Sequence, residues 1–107
     1  MGRSYLGEFE ELVLLTVVVL GAGAYGVSIA EELRQRTNRT ISLSAVHIAL
    51  YRLEEKGFVI SEMGGATLSR GGRRKRLFRI TTAGRDMLAE IQEIRNQFWH
   101  AILNPAQ

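Results

Sequence analysis

The 107-residue sequence predicts a mainly α chain with one small β-hairpin, an α+β fold. Three observations carry that reading. Apolar residues recur at helical spacing in four segments. Two short alternating segments, 58–63 and 77–81, flank a glycine-rich stretch. Positive charge is concentrated in one place: residues 64–85 hold Arg70, Arg73, Arg74, Lys75, Arg76, Arg79 and Arg85 and no acid. Of 14 Lys and Arg, 7 lie there and 7 elsewhere with all 11 Asp and Glu, so the net +3 is +7 in this segment and −4 outside it. A chain charged this way meets a polyanion with one face.

The first predicted helix is Glu8–Leu20. Glu8, Glu10 and Glu11 fall in its first turn, where the helix dipole favours acids, and Gly21 offers a stop. It is apolar nearly all round and is expected at the centre of the core. The valines at 17–19 leave a strand open for its second half. A second helix over 25–36 carries the stripe Val27, Ile29, Ala30 and Leu33, and a polar turn, Thr37-Asn38-Arg39-Thr40, follows. The third helix, 42–56, is the best marked. Ser42 serves as N-cap, Ile41 packs on Val46 as a hydrophobic staple, and Gly57 closes the helix. Its core face is Leu43, Val46, Leu50 and Leu53, with Ala49 at the edge. The strands at 58–63 and 77–81 form a hairpin with a long basic tip. The last helix, Thr82–Leu103, is amphipathic with the stripe Met87, Ile91, Ile94, Phe98 and then Ala101 or Ile102.

Two helices joined by a short turn and followed by a basic hairpin make a winged helix-turn-helix. The expected division is a DNA-binding unit over residues 1–81 and a C-terminal dimerisation helix over 82–107, in one compact unit. The outward face of the third helix holds Ser44, Ile48, Tyr51 and Glu55, flanked by His47 and Arg52. In a duplex reader Ser44 and His47 offer hydrogen bonds to base edges and Ile48 an apolar contact to a thymine methyl. Tyr51 and Arg52 reach phosphate, and a wing bearing Arg70, Arg73, Arg74, Lys75 and Arg76 lies along the backbone or enters the minor groove. Tyr25 and Ser42, at the starts of the second and third helices, complete the candidate set. The bland alternative is a solvated helix face and charge run on a winged-helix protein-interaction module that does not have DNA binding as its main task.

Other chemistry is poorly supplied. There is no cysteine, which removes disulfides and thiolate sites and suits a reducing cytoplasm. His47 and His100 lie in different helices, and the pairs Glu10-Glu11 and Glu54-Glu55 diverge along theirs, so neither a metal site nor an enzyme is expected. The run Gly21-Ala22-Gly23-Ala24-Tyr25-Gly26 matches G-x-G-x-x-G, but no further βαβ pattern accompanies it and residues 38–46 contain no carboxylate. It reads as a turn between helices, and no cofactor is expected. Arg3, the apolar run 12–20 and Ala22-Gly23-Ala24 imitate a secretory signal. Glu8, Glu10 and Glu11 sit where such a signal is positive or neutral, and the run is shorter than the about 20 residues a membrane helix takes. The expectation is a cytoplasmic chain without membrane contact.

The C-terminal helix has more apolar surface than so short a chain covers. Packing it on a second copy through Met87, Ile91, Ile94, Phe98 and Ile102 gives a two-fold dimer, which presents two recognition helices to a pseudo-palindromic site. Trp99, beside Phe98, serves either as interface packing or as a plate for a flat hydrophobic ligand.

The segments AYGVSI at 24–29, YRLEEKGFV at 51–59 and GGRRKRLFRITTAG at 71–84 resemble the PadR family of bacterial transcriptional regulators, over about residues 8–103. The resemblance implies a homodimeric winged-helix repressor of the compact type, with a single C-terminal helix, released by a small effector. In drug-responsive compact members a tryptophan on that helix stacks planar hydrophobic compounds at the dimer interface, a place Trp99 would share with Phe98, and in other members the effector is a phenolic acid. One departure stands out: His47 occupies a position where the family usually has a tyrosine.

Overall fold

A computed structural model of the chain describes residues 6–64 and 75–105. It comprises α1 (Glu8–Leu20), a 3₁₀ turn (Gly21–Gly23), α2 (Gly26–Thr37), α3 (Leu43–Glu55), the strands β1 (Val59–Met63) and β2 (Arg76–Ile80), and α4 (Thr82–Leu103). The bounds of α1 and α4 coincide with the sequence expectation, and the others shift by a residue or two at their ends. The valines at 17–19 are helical, because α1 continues to Leu20 and the N–H of Gly21, at φ +59°, donates to the Val17 carbonyl.

The helix ends follow their chemistry. Ser42 Oγ accepts from the Ala45 N–H at 3.1 Å and caps α3. At its other end Gly57 takes φ +81°, its N–H bonds Glu54 O, and the Phe58 N–H bonds Leu53 O. This is the Schellman arrangement, with Phe58 and Leu53 both buried as its apolar contact. Asn38 ends α2 in the left-handed region, φ 56°. At the start of α2, Ser28 Oγ accepts from the Tyr25 N–H at 3.0 Å and donates to Gly23 O at 2.7 Å.

The core lies where α1 meets α2, α3 and β2, and its largest fully buried side chains include Leu14, Ile29, Leu33, Leu50 and Leu53. Ile41 and Val46, the two staple residues, are both buried in it. Two expectations need correction. Leu43 does not join the core but stands in the first turn of α3 over the Gly26 end of α2. α1 is buried on one side only, through Glu10, Val13, Leu14, Thr16 and Val17, while Leu15 and Val19 face outward. Among the described residues, neighbours cover only part of the helix circumference.

The strands pair antiparallel with Ser61 opposite Phe78 and Val59 opposite Ile80. The Phe78 N–H also donates to Ala24 O at 2.9 Å, so the segment after the 3₁₀ turn lies against β2. The glycine-rich G-x-G-x-x-G run is thereby accounted for: it turns the chain out of α1 and lays Ala24 on the wing.

Thr81 and Gly84 join the hairpin to α4. Thr81 Oγ1 donates to Gly57 O at 2.7 Å and accepts from the Gly84 N–H at 3.0 Å, while the Thr81 N–H reaches Phe58 O at 3.0 Å. Met87 and Leu88 of α4 pack on the core, and Arg95 bonds Glu11 of α1 at 2.8 Å. From Gln92 to the end of the helix every residue is exposed. No described helix is long and apolar enough to cross a membrane, and no group of three or more metal-ligating side chains occurs among the described residues.

Candidate nucleic-acid interface

The outward face of α3 is as the helical spacing places it. Ser44, His47, Ile48, Tyr51 and Arg52 are all exposed, with Ile48 at 54% and Tyr51 at 62%. Two large apolar side chains held open on one helical face are available for a ligand surface. Ser42 is exposed too, but its oxygen is occupied by the cap, which leaves its O–H as the free donor.

His47 is positioned by a glycine. A Cβ built on Gly26 would lie 2.7 Å from His47 Cε1 and 3.0 Å from Nε2, so the imidazole rests directly on the first turn of α2. Gly26→Ala should therefore push the ring off α2, at little cost because the obstacle is the end of a rotatable side chain. The expected outcome is a melting temperature shift equivalent to less than about 1 kcal/mol, with helix propensity offsetting the displacement. If α3 reads bases with its N-terminal half, where His47 stands, the preferred base sequence in a duplex selection should change as well.

The wing is tied to the same region. Tyr25, immediately before Gly26, carries Lys75 Nζ over its ring at 4.1 Å, a cation–π contact between α2 and the start of β2. Arg76 donates to Ser61 Oγ at 3.0 Å, and Ser61 donates to Glu54 Oε2 of α3 at 2.8 Å. Two of the expected phosphate ligands, Lys75 and Arg76, are thus also the struts that set the hairpin against the helices. Arg79 pairs across the strands with Glu62 at 3.5 Å. Arg70, Arg73 and Arg74 lie outside the described residues.

At the flank of the open α3 face, Arg52 and Lys56 meet an acid of α1. Glu10 is only 8% exposed; Lys56 Nζ donates to it at 2.7 Å, and an Arg52 nitrogen stands 3.8 Å away. Nearby Arg39, in the turn between α2 and α3, hydrogen-bonds both oxygens of Glu8. That hydrogen bond, aided by the charge of Arg39, holds the Glu8 carboxyl below its ordinary range, and it raises Arg39 in turn. Two charge pairs, one exposed and one part-buried, thus link the helix-turn-helix to the start of α1. Glu10, Ser61 and Glu54 join this region without any mark in the sequence around them. Their signal is long-range pairing, which no local spacing reveals.

The effector and dimer candidates occupy the free end of α4. Ile94, Phe98, Trp99 and Ile102 are exposed, Phe98 at 68% and Trp99 at 59%. Ile91 is half-buried, and Met87 is turned inward onto its own chain's core.

The family of PadR-like transcriptional regulators matches residues 14–90, from the middle of α1 through the first turns of α4. The chain belongs to the PadR-like family. A relative from Lysinibacillus sphaericus is 30% identical over 87 residues, which span 79% of this chain and 75% of that protein. Among solved structures, a PadR family transcription regulator from Clostridium difficile superposes with a TM-score of 0.67 at 23% identity, covering 91% of this chain and 96% of the other. A PadR-like transcriptional regulator from Bacillus cereus gives a TM-score of 0.71 at 17% identity, covering 92% and 91%. At such identities these structures share the fold. The PadR-like assignment accounts for the third helix, the wing and the long last helix in one scheme. It makes the chain a transcriptional regulator and not an enzyme.

Proposed function

We propose that this PadR-like regulator is a homodimeric repressor that reads a pseudo-palindromic operator in duplex DNA with α3 and grips phosphate with its wing. One observation carries the reading: Gly26, Tyr25 and Lys75 join the open face of α3 to the basic hairpin without a break, since His47 rests on Gly26 and Lys75 on Tyr25. Ser44, His47 and Ile48 then address bases, while Tyr51, Arg52, Lys75 and Arg76 address phosphates together with Arg70, Arg73 and Arg74. The reading unit is residues 1–81, and residues 82–107 serve as the dimerisation helix.

In this reading two copies pair through Ile91, Ile94, Phe98 and Ile102, with the outward Leu15 and Val19 of α1 as further apolar surface. A flat hydrophobic or aromatic effector stacks on Trp99 and Phe98 where the two helices meet. Release of the operator follows if the effector binds one spacing of the recognition helices better than the other, and only to the extent of that difference.

A salt titration tests the reading. With six cations assigned to phosphate in each copy, a dimer neutralises up to about twelve phosphates, so log K for a duplex should fall steeply against log salt, with a slope as large as about −11. Arg73→Ala with Arg74→Ala should weaken all sequences alike and flatten the slope, whereas Ser44→Ala should alter sequence preference. A slope near zero would show instead a winged-helix module whose partner is another protein.

A further inference from the structure

Glu10 and Thr16 are the buried polar side chains of the described core. Thr16 is explained within its own helix, since its hydroxyl donates to Leu12 O at 2.7 Å. Glu10 is not: a carboxylate gains nothing from leaving water unless cations meet it. Both cations that do so come from the recognition helix. Arg52 and Lys56 are four residues apart and therefore share one side of α3. That side borders a groove of about 400 Å³ at the edge of the open face, whose lining includes the acids Glu8 and Glu10 besides Phe9, Ile48 and Arg52.

We propose that Glu10 is a positioning residue for duplex binding, holding Arg52 at the rim of this groove as a pre-aimed phosphate ligand. The inference rests on the duplex-reading function and adds a residue of α1 to it. Lys56, bonded at 2.7 Å, is the fixed partner of Glu10. Arg52, at 3.8 Å and with its side chain 64% exposed, is tethered without being consumed. A guanidinium presents a planar fork of five N–H donors, so the approach of one nitrogen to the carboxylate leaves the remaining donors for a phosphate oxygen. A long side chain already restrained has less rotamer freedom to lose on binding.

The test turns on sign. Glu10→Gln keeps the shape and an acceptor for Lys56 but removes one negative charge, so bulk electrostatics alone would tighten binding to DNA. Positioning predicts the reverse: weaker binding of a mixed-sequence duplex, by about threefold to tenfold, followed by fluorescence anisotropy. Arg52→Ala should also weaken binding, with the salt slope shallower by about one for each site lost. In the Arg52→Ala background, Glu10→Gln should have no further weakening effect. Unchanged or tighter binding by Glu10→Gln overturns the proposal. So does a loss that persists in full without Arg52, the mark of a general structural defect whatever the melting temperature does. If the parent chain shows no salt-dependent duplex binding, the duplex reading itself falls and this proposal with it.

Discussion

Gly84→Ala is expected to destabilise the chain by about 3 kcal/mol, lowering its melting temperature by roughly 10–20 °C. A Cβ at this position would lie 2.3 Å from the Phe58 carbonyl oxygen and 2.7 Å from Ile80 Cγ1. The obstacle is backbone, unlike the rotatable ring facing Gly26. Relief must move either the first turn of α4 or the segment after α3. Either motion strains the hydrogen bond that the same Phe58 oxygen accepts from Thr81 and the cap that Thr81 gives to Gly84. The glycine in the TTAG segment is thus required by close approach, not by backbone conformation. Thermal and urea unfolding of the variant measure the loss. A change under 1 kcal/mol would mean that α4 does not seat on Phe58 as described.

In the proposed two-fold dimer, Phe98→Glu is expected to shift the chain to monomer at micromolar concentration. Phe98 is 68% exposed in one copy, on a helix whose residues from Gln92 onward are all exposed. Burying each such side chain is worth about 1.5–3 kcal/mol, and two-fold symmetry counts it twice. A loss of about 3–6 kcal/mol raises the dimer dissociation constant by roughly two to four orders of magnitude, before the cost of burying two carboxylates is added. Sedimentation equilibrium reads the change. The fold of the winged unit should survive, because Met87 and Leu88 anchor α4 further up. A dimer of parental strength in this variant would place the subunit interface elsewhere.

Much of the fold was legible because its signals are local. Ser42, Gly57, Gly21 and the alternation of β1 and β2 act over four or five residues, and each element formed where these marks stand. The errors arose where the outcome depends on what lies opposite. Leu43 has the spacing of a core residue, yet the first turn of α3 overhangs α2 and leaves it open. α1 reads as apolar all round, yet the described residues cover only one of its sides. Met87 belongs to the same periodic stripe as Phe98, but only Met87 reaches its own core.

The basic character of the segment around the hairpin, the order of the elements and the family resemblance were determined by the sequence alone, since charge, capping and periodicity are properties of neighbouring residues. Tertiary structure alone decided which of the basic residues serve as struts. It set Lys75 on Tyr25, Arg76 on Ser61 and Arg52 beside Glu10, and laid His47 on Gly26. These pairs join residues between 15 and 50 positions apart, and their partners are chosen by how the helices pack, a quantity no short window of sequence contains.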